Sequence, residues 1–321
     1  MSRTLAMGQD EASGTRKIVD APFGNTLARL GQSRPEIVGL TADLGKYTDI
    51  HPFRDAFPDR FFNVGMAEQS LVAVAAGLAR TGKIPFATTY GVFASRRAFD
   101  FIAIALAHSQ LNVKIIAGLP GLTTGYGGTH QAIEDLALMR MIPGLTIIDP
   151  MDATEVEAAT IAIAGHPGPV YMRLLRGSVP VVLEPGYTFE IGKARKLRDG
   201  HDIGIISTGL MSERAIDAAA ALEARGISVA VLHVPTIKPF DAGAVAEFAA
   251  SVTRIVSAEN HVIVGGLASL VVETLFDAGI QKKLTRIGLP DRYIELGSVP
   301  TLQQKYGLTT EAMITTIAAL S

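Results

Sequence analysis

A chain of 321 residues is too long for one ordinary hydrophobic core, so two domains are expected. Hydrophobic residues make up 48% and charged residues 19%; the formal net charge is −2 with no concentrated basic patch, which argues against nucleic acid as a partner. Cysteine is absent, which excludes a disulfide framework and thiol chemistry and favours a reducing, cytoplasmic setting.

The first residues, M-S-R-T-L-A-M-G-Q-D-E-A-S-G-T-R-K, lack an apolar signal-peptide core, so 1–15 is expected to be a flexible arm that orders near Arg16. The apolar runs Leu71–Ala79 and Val262–Val272 are too short to span a bilayer, so no membrane is expected. Beyond the arm, β-branched runs alternate with alanine-rich helical stretches, the pattern of an α/β fold with mostly parallel sheets flanked by helices. The pattern predicts a helix at Pro22–Leu30 and strands at Ile37–Leu40 and Phe61–Val64. A helix follows Ala67, then a strand at Ile84–Thr88, a helix at Phe93–Ala107 and a strand at Val113–Ala117. A glycine-rich loop leads to a predicted helix at Gln131–Arg140 and a strand at Leu145–Ile148. Asp152 and Glu155 form a D-x-x-E cap for the next helix, and Val170–Leu174 closes the first domain, 16–180.

The stretch 181–200 carries proline, glycine and charge without a helical period and reads as a linker. The second domain, 201–321, is expected to hold strands at Ile203–Ser207, Ser228–His233, Arg254–Ala258 and Leu284–Gly288. Helices at Ser212–Arg225, Ala242–Ser251, Gly266–Ala278 and Thr309–Ala319 would pack between them.

Glu68 opens a helix that is otherwise small and apolar. A glutamate in a first turn commonly just complements the helix dipole. The run of Ala67, Ala73, Ala75, Ala76, Gly77 and Ala79, however, lets another backbone come close, and a carboxylate at such a seam would be desolvated for acid–base work. Tyr90 ends a strand and Phe93 opens a helix. In parallel sheets that end of a strand receives ligands, although aromatics at this spacing also build cores. The loop G-L-P-G-L-T-T-G-Y-G-G-T-H-Q, from Gly118 to Gln131, matches no nucleotide fingerprint. Its His130, expected at a helix start, suits a neutral hydrogen-bonding partner or a structural role. Asp43 follows a strand as a site or turn acid, and Arg173 and Arg176 flank a strand end where a guanidinium suits an anion. Glu259, Asn260 and His261 fit no metal fork and are expected to make structural hydrogen bonds; no metal site is expected.

In order, the motifs T-A-D-L, G-M-A-E-Q, T-T-Y-G-V-F, G-G-T-H-Q-A-I-E-D-L-A-L-M-R and E-N-H-V-I-V-G-G-L resemble the C-terminal part of the transketolase family. That part comprises the pyrimidine-binding domain and the smaller C-terminal domain. The resemblance implies a transferase moving a two-carbon ketol unit from a ketose, or ketose phosphate, to an aldose with thiamine diphosphate. It assigns Glu68 the hydrogen bond to N1′ of the aminopyrimidine, which favours the imino tautomer that deprotonates the thiazolium. It further implies Tyr90 and Phe93 against the pyrimidine, with Asp43 and Arg96 beside the cofactor. His130 would meet the sugar, Arg176 the acceptor's phosphate, and Arg16 a second anion contact.

Full-length members carry G-D-G and a downstream Asn for Mg²⁺, and this chain has no G-D-G. The resemblance therefore implies a split enzyme, an α2β2 assembly whose companion subunit holds the Mg²⁺ and the diphosphate. Gly118 and Tyr126 stand where many relatives have His and Asp, which puts the usual pentose phosphates in doubt. The competing readings are a beta-type subunit of a 2-oxo-acid dehydrogenase, a 1-deoxyxylulose-5-phosphate synthase-like enzyme, and a non-catalytic partner that kept the fold.

Overall fold

The computed structural model describes residues 16–320; the expected arm at 1–15 lies outside the described residues. The chain runs β1 (Ile18–Asp20), α1 (Pro22–Ser33), β2 (Ile37–Thr41), α2 (His51–Ala56), β3 (Phe61–Asn63), α3 (Glu68–Arg80) and β4 (Ile84–Tyr90). It continues with α4 (Gly91–Arg96), α5 (Phe99–Phe101, prolonged by a π-helix at Ile102–Ala107), β5 (Lys114–Gly118), α6 (Asp135–Arg140), β6 (Thr146–Ile148), α7 (Ala153–Gly165) and β7 (Val170–Leu174). After β8 (Ser178–Pro180) come β9 (Arg195–Arg198), β10 (Ile203–Ser207), α8 (Met211–Glu223), β11 (Val229–His233), β12 (Thr236–Lys238) and α9 (Ala242–Ser251). The described chain closes with β13 (Arg254–Val262), α10 (Leu267–Asp277), β14 (Leu284–Leu289), α11 (Val299–Lys305) and α12 (Thr310–Ala318).

The α/β architecture is as expected. One sheet has the order β12-β6-β7-β5-β4-β2-β3 and is parallel except for β12; the other, β14-β13-β10-β11-β9, is parallel except for β9. Strands β2, β4, β5 and β7 are buried along their whole length, which is why they are predominantly apolar rather than alternating, with Lys114 and Arg173 as the charged exceptions. Helix α7 is capped as its D-x-x-E pattern requires, with Asp152 Oδ1 accepting the Glu155 N–H at 2.7 Å. No helix among the described residues is long and apolar enough to cross a membrane.

Three expectations are corrected. Strand β12 follows β11 of the second sheet yet pairs with β6 at the edge of the first, so the two sheets are stitched together. The predicted helix Phe93–Ala107 breaks at Arg97–Ala98, where Ala98 leaves helical geometry, and resumes as α5. The predicted start at Gln131 moves to Asp135 because tertiary bonds claim the intervening residues: Ala132 O accepts the Gly121 N–H, and Gln131 Nε2 donates to Thr124 O.

The seam between the sheets is polar and buried. Arg173, at the end of β7, donates from Nε and Nη2 to the two oxygens of Asp135 at 3.0 and 2.5 Å, and from Nη1 to Asp149 Oδ2 at 3.2 Å and Asn260 O at 3.3 Å. Tyr171 donates to Asp135 at 2.7 Å, and Thr208 to Asp149 at 3.3 Å. Gly209 approaches so closely, with φ +53°, that a Cβ there would lie 2.6 Å from the Asp149 carboxylate. Burial pushes the Asp135 carboxyl up, but the charge and hydrogen bonds of Arg173 more than offset this and hold it low; burial dominates at Asp149 and raises it. Arg173 is therefore committed to two aspartates, which corrects the expectation of an anion-binding role. Arg173→Met should lower the unfolding free energy by about 3–5 kcal/mol, since it leaves buried carboxylates unpaired; denaturant unfolding checks this.

A second bridge uses His261. Its Nε2 accepts the Ala137 N–H at 3.3 Å and its Nδ1 lies 2.6 Å from Val262 O, a bonding pattern that only the neutral ring satisfies. Burial, helped by the charge of Arg173, pushes it down to about 4. Because the folded value lies below the unfolded one, near 6.5, this contribution is present above pH 6.5 and lost as pH falls toward 4. Neighbouring Glu259, pushed up to about 7 chiefly by burial, acts in the opposite sense. The stability advantage over His261→Gln should therefore shrink by about 1.4 kcal/mol per pH unit across that window, with Glu259 common to both proteins; paired unfolding curves at pH 7, 5.5 and 4.5 measure it.

Candidate active site

Helix α3 begins at Glu68 because the turn before it is tied down. Asn63 accepts the N–H groups of Asp43 and Gly65, each at 3.0 Å, and donates to Asp43 Oδ1 at 3.1 Å; Gly65 O accepts the Ala67 N–H. Asp43 itself is exposed, with φ +60°. These ties deliver Glu68 to the first turn of α3 with only 3% of its surface exposed. Its side chain meets Arg97, whose Nη1 lies 3.3 and 3.4 Å from the two carboxylate oxygens.

Phe93, in α4, carries that same guanidinium 4.0 Å over its ring centroid. Tyr90, at the buried end of β4, lies 5.8 Å from Phe93. His130 meets Phe93 at 5.4 Å, Tyr90 at 6.4 Å and Tyr126 at 5.5 Å, each edge-on. Its Nδ1 is 2.9 Å from Thr129 Oγ1. His130 thus sits in a turn five residues before α6 rather than at a helix start, and its surroundings are rings rather than a helix terminus.

Arg176 is close enough to act electrostatically on Tyr90 and Asp49: burial pushes the Tyr90 phenol up while the Arg176 charge opposes the shift, and it likewise opposes the rise that burial imposes on Asp49. Its Nε is buried without a hydrogen-bond partner among the described residues. Phe93, Tyr90 and His130 thus form an aromatic cluster, with Glu68 joined to it through Arg97 and the Arg176 charge nearby.

Two of the expected residues are used otherwise within this chain. Arg16 is held by Glu213 at 2.6 Å and by Asp217 at 2.6 and 2.9 Å, on α8. Arg96 pairs with Glu134 and donates to Gly128 O at 2.7 Å, so it braces the glycine-rich loop. The second sheet's side braces the same loop: the Gly297 N–H donates to Gly125 O at 3.1 Å, and Asn260 Oδ1 accepts the Leu122 N–H at 2.8 Å. Sequence reasoning missed Arg97, because nothing in the pattern S-R-R-A says which arginine turns to which acid. No group of three or more His, Cys, Asp or Glu side chains among the described residues is arranged to hold a metal ion. Arg96→Met should loosen the loop; amide exchange over 121–131 is expected to accelerate about tenfold or more, consistent with losing a charge-assisted bond of 1.5–3 kcal/mol.

Comparison with known proteins places this geometry. Residues 19–181 match the model of the transketolase pyrimidine binding domain, and residues 192–313 that of the transketolase C-terminal domain. A protein of Sinorhizobium fredii named as a putative uncharacterized transketolase family protein is 54% identical over 98% of this chain and 92% of its own length. The 6-deoxy-6-sulfo-D-fructose transketolase subunit of a Clostridium species is 40% identical over 91% of each chain. The solved structure of a split gene transketolase, described as an inactive beta4 tetramer, superposes with a TM-score of 0.85 at 40% identity, covering 94% of this chain and 98% of that one.

Proposed function

This chain belongs to the transketolase family, and from that premise we propose that it is the pyrimidine-holding subunit of a split, thiamine diphosphate-dependent transketolase. The observation that carries the reading is the buried Glu68 carboxylate standing beside the Phe93–Tyr90–His130 wall. A flat, nitrogen-bearing ring fits such a site: its edge meets the acid and its face meets an aromatic. The diphosphate end does not fit the described residues of this chain, which offer no cation-binding cluster and, in sequence, no G-D-G. A companion subunit is proposed to hold the Mg²⁺ and the diphosphate, in an α2β2 assembly. The cysteine-free sequence supports a cytoplasmic setting.

When bound, thiamine diphosphate supplies the electron sink for breaking and remaking a carbon–carbon bond beside a carbonyl. Glu68 exchanges a proton with the pyrimidine nitrogen from a position fixed by α3. Phe93 and Tyr90 exclude water from that ring, with Asp43 bordering the pocket through its bonds to Asn63. His130 meets sugar hydroxyls, and Arg176, with its unused Nε, holds the anionic end of the substrate. Arg96 serves the site by holding the loop that carries His130, and Arg16 is left to a packing role within this chain. The reaction moves a two-carbon ketol unit from a ketose to an aldose.

The test is reconstitution with a companion chain carrying G-D-G and a downstream Asn. Glu68→Gln should assemble normally but lower turnover by about 100-fold or more, the scale of a lost acid–base group. The isolated chain with thiamine diphosphate and Mg²⁺ should be inactive; ketose cleavage by the pure homomer would refute the split assignment.

A further inference from the structure

The Glu68–Arg97 contact has a geometry that simple surface pairing does not require. Arg97 is half exposed, and a free arginine at such a position would extend into water. Instead one nitrogen sits nearly equidistant from both Glu68 oxygens, at 3.3 and 3.4 Å, while its guanidinium carbon lies 4.0 Å over the Phe93 ring. Arg97 keeps helical geometry, and its N–H makes the i→i−4 bond to Phe93 O, so its side chain lies one turn on from Phe93 on the same helix face, over the ring. A single planar group thus touches the acid and the aromatic face, the two elements the proposed site depends on.

We propose that Arg97 is a positioning residue that locks the Glu68 carboxylate and the Phe93 ring in register for the ring nitrogen the acid is to meet. The inference rests on the function proposed above. The guanidinium suits this task in two ways: its N–H groups hydrogen-bond the carboxylate, and its flat face stacks on an aromatic ring, which an ammonium does not do. The remaining ionisable groups on the elements around Glu68 leave the role to Arg97. Arg96 is turned to Glu134 and Gly128 O, His130 is bonded to Thr129, Asp43 is held by Asn63, and Asp100 is exposed on α5.

The test uses the enzyme reconstituted with its companion, comparing wild type with Arg97→Met, Arg97→Lys, Glu68→Gln and the Glu68→Gln/Arg97→Met pair. Thiamine diphosphate affinity is read by calorimetry, and kcat and KM by sugar turnover. Arg97→Met should keep its melting temperature and its sugar KM. It should weaken thiamine diphosphate binding and lower kcat about 10- to 100-fold, the scale expected of a slightly misplaced group. Arg97→Lys, which restores the charge without the stacking face, should recover only part of kcat and of the cofactor affinity. The double variant should be no worse than Glu68→Gln alone, since Arg97 acts through Glu68. Wild-type behaviour of Arg97→Met, full rescue by Arg97→Lys, or losses that multiply in the double variant would overturn the proposal. Undiminished turnover in Glu68→Gln would instead overturn the functional reading beneath it.

Discussion

The Arg173 guanidinium, sealed from water between Asp135 and Asp149, is the constraint around which the rest is arranged. Its aspartates begin α6 and follow β6, its Nη1 reaches the Asn260 carbonyl at the far end of β13, and Thr208 closes the ring from β10. A buried cation with two acids contributes little net stability over an apolar replacement, because desolvation offsets most of the attraction. What it does is penalise every other arrangement: slide one sheet against the other and a charge is left bare in a dry seam. Beside it a second sealed chain runs from Glu155 through His233 to Ser212 and Ser207, at 2.8, 2.6 and 2.8 Å, and fixes α7 to the second sheet.

The glycine-rich loop inherits its shape from this seam. Asn260 gives its carbonyl to Arg173 and its side chain to Leu122, so the residue that reads the hub also holds the loop. Gly121 is required there, since a Cβ at that position would lie 2.3 Å from Asn260 O. Arg96 and Gly297 grip the loop further along, and His130 emerges between them, pressed against Phe93 and Tyr90. The aromatic wall is therefore rigid on the side facing the second sheet. Near α3 the surface is different: Met66, just before the helix, is 81% exposed, and Val74 and Gly77 are exposed further along it.

The strands were the most legible part of the sequence. Ile203–Ser207 and Val170–Leu174 run as expected to the residue, because a strand buried on both faces is mostly apolar and the few polar groups it carries, such as Arg173, are paired inside. The helices whose limits moved are those whose ends are set by tertiary bonds. Gln131–Glu134 has helical composition, but its groups are claimed by Thr124, Gly121 and Arg96 before a helix can form. Short elements such as α2, α11 and β12 lack a period long enough to register in a pattern search.

Of the residues the sequence singled out, Tyr90, Phe93 and His130 pack together in the structure and Glu68 joins them through Arg97, because strand ends, helix starts and glycine-rich turns are local features that motifs record. The partners of the arginines were decided only in three dimensions. Arg96 and Arg97 are adjacent and chemically alike, yet one braces a loop and the other meets Glu68; Arg173 and Arg176 are three apart, yet one is sealed in the seam and the other keeps an unused donor. The sequence by itself determined the α/β fold class, the family resemblance and the candidate acid, since burial and backbone turns leave a mark on composition. Which charge meets which was left to the tertiary structure, because an ion pair is set by distances between segments as far as 201 residues apart in sequence, as for Arg16 and Asp217, and no local pattern encodes them.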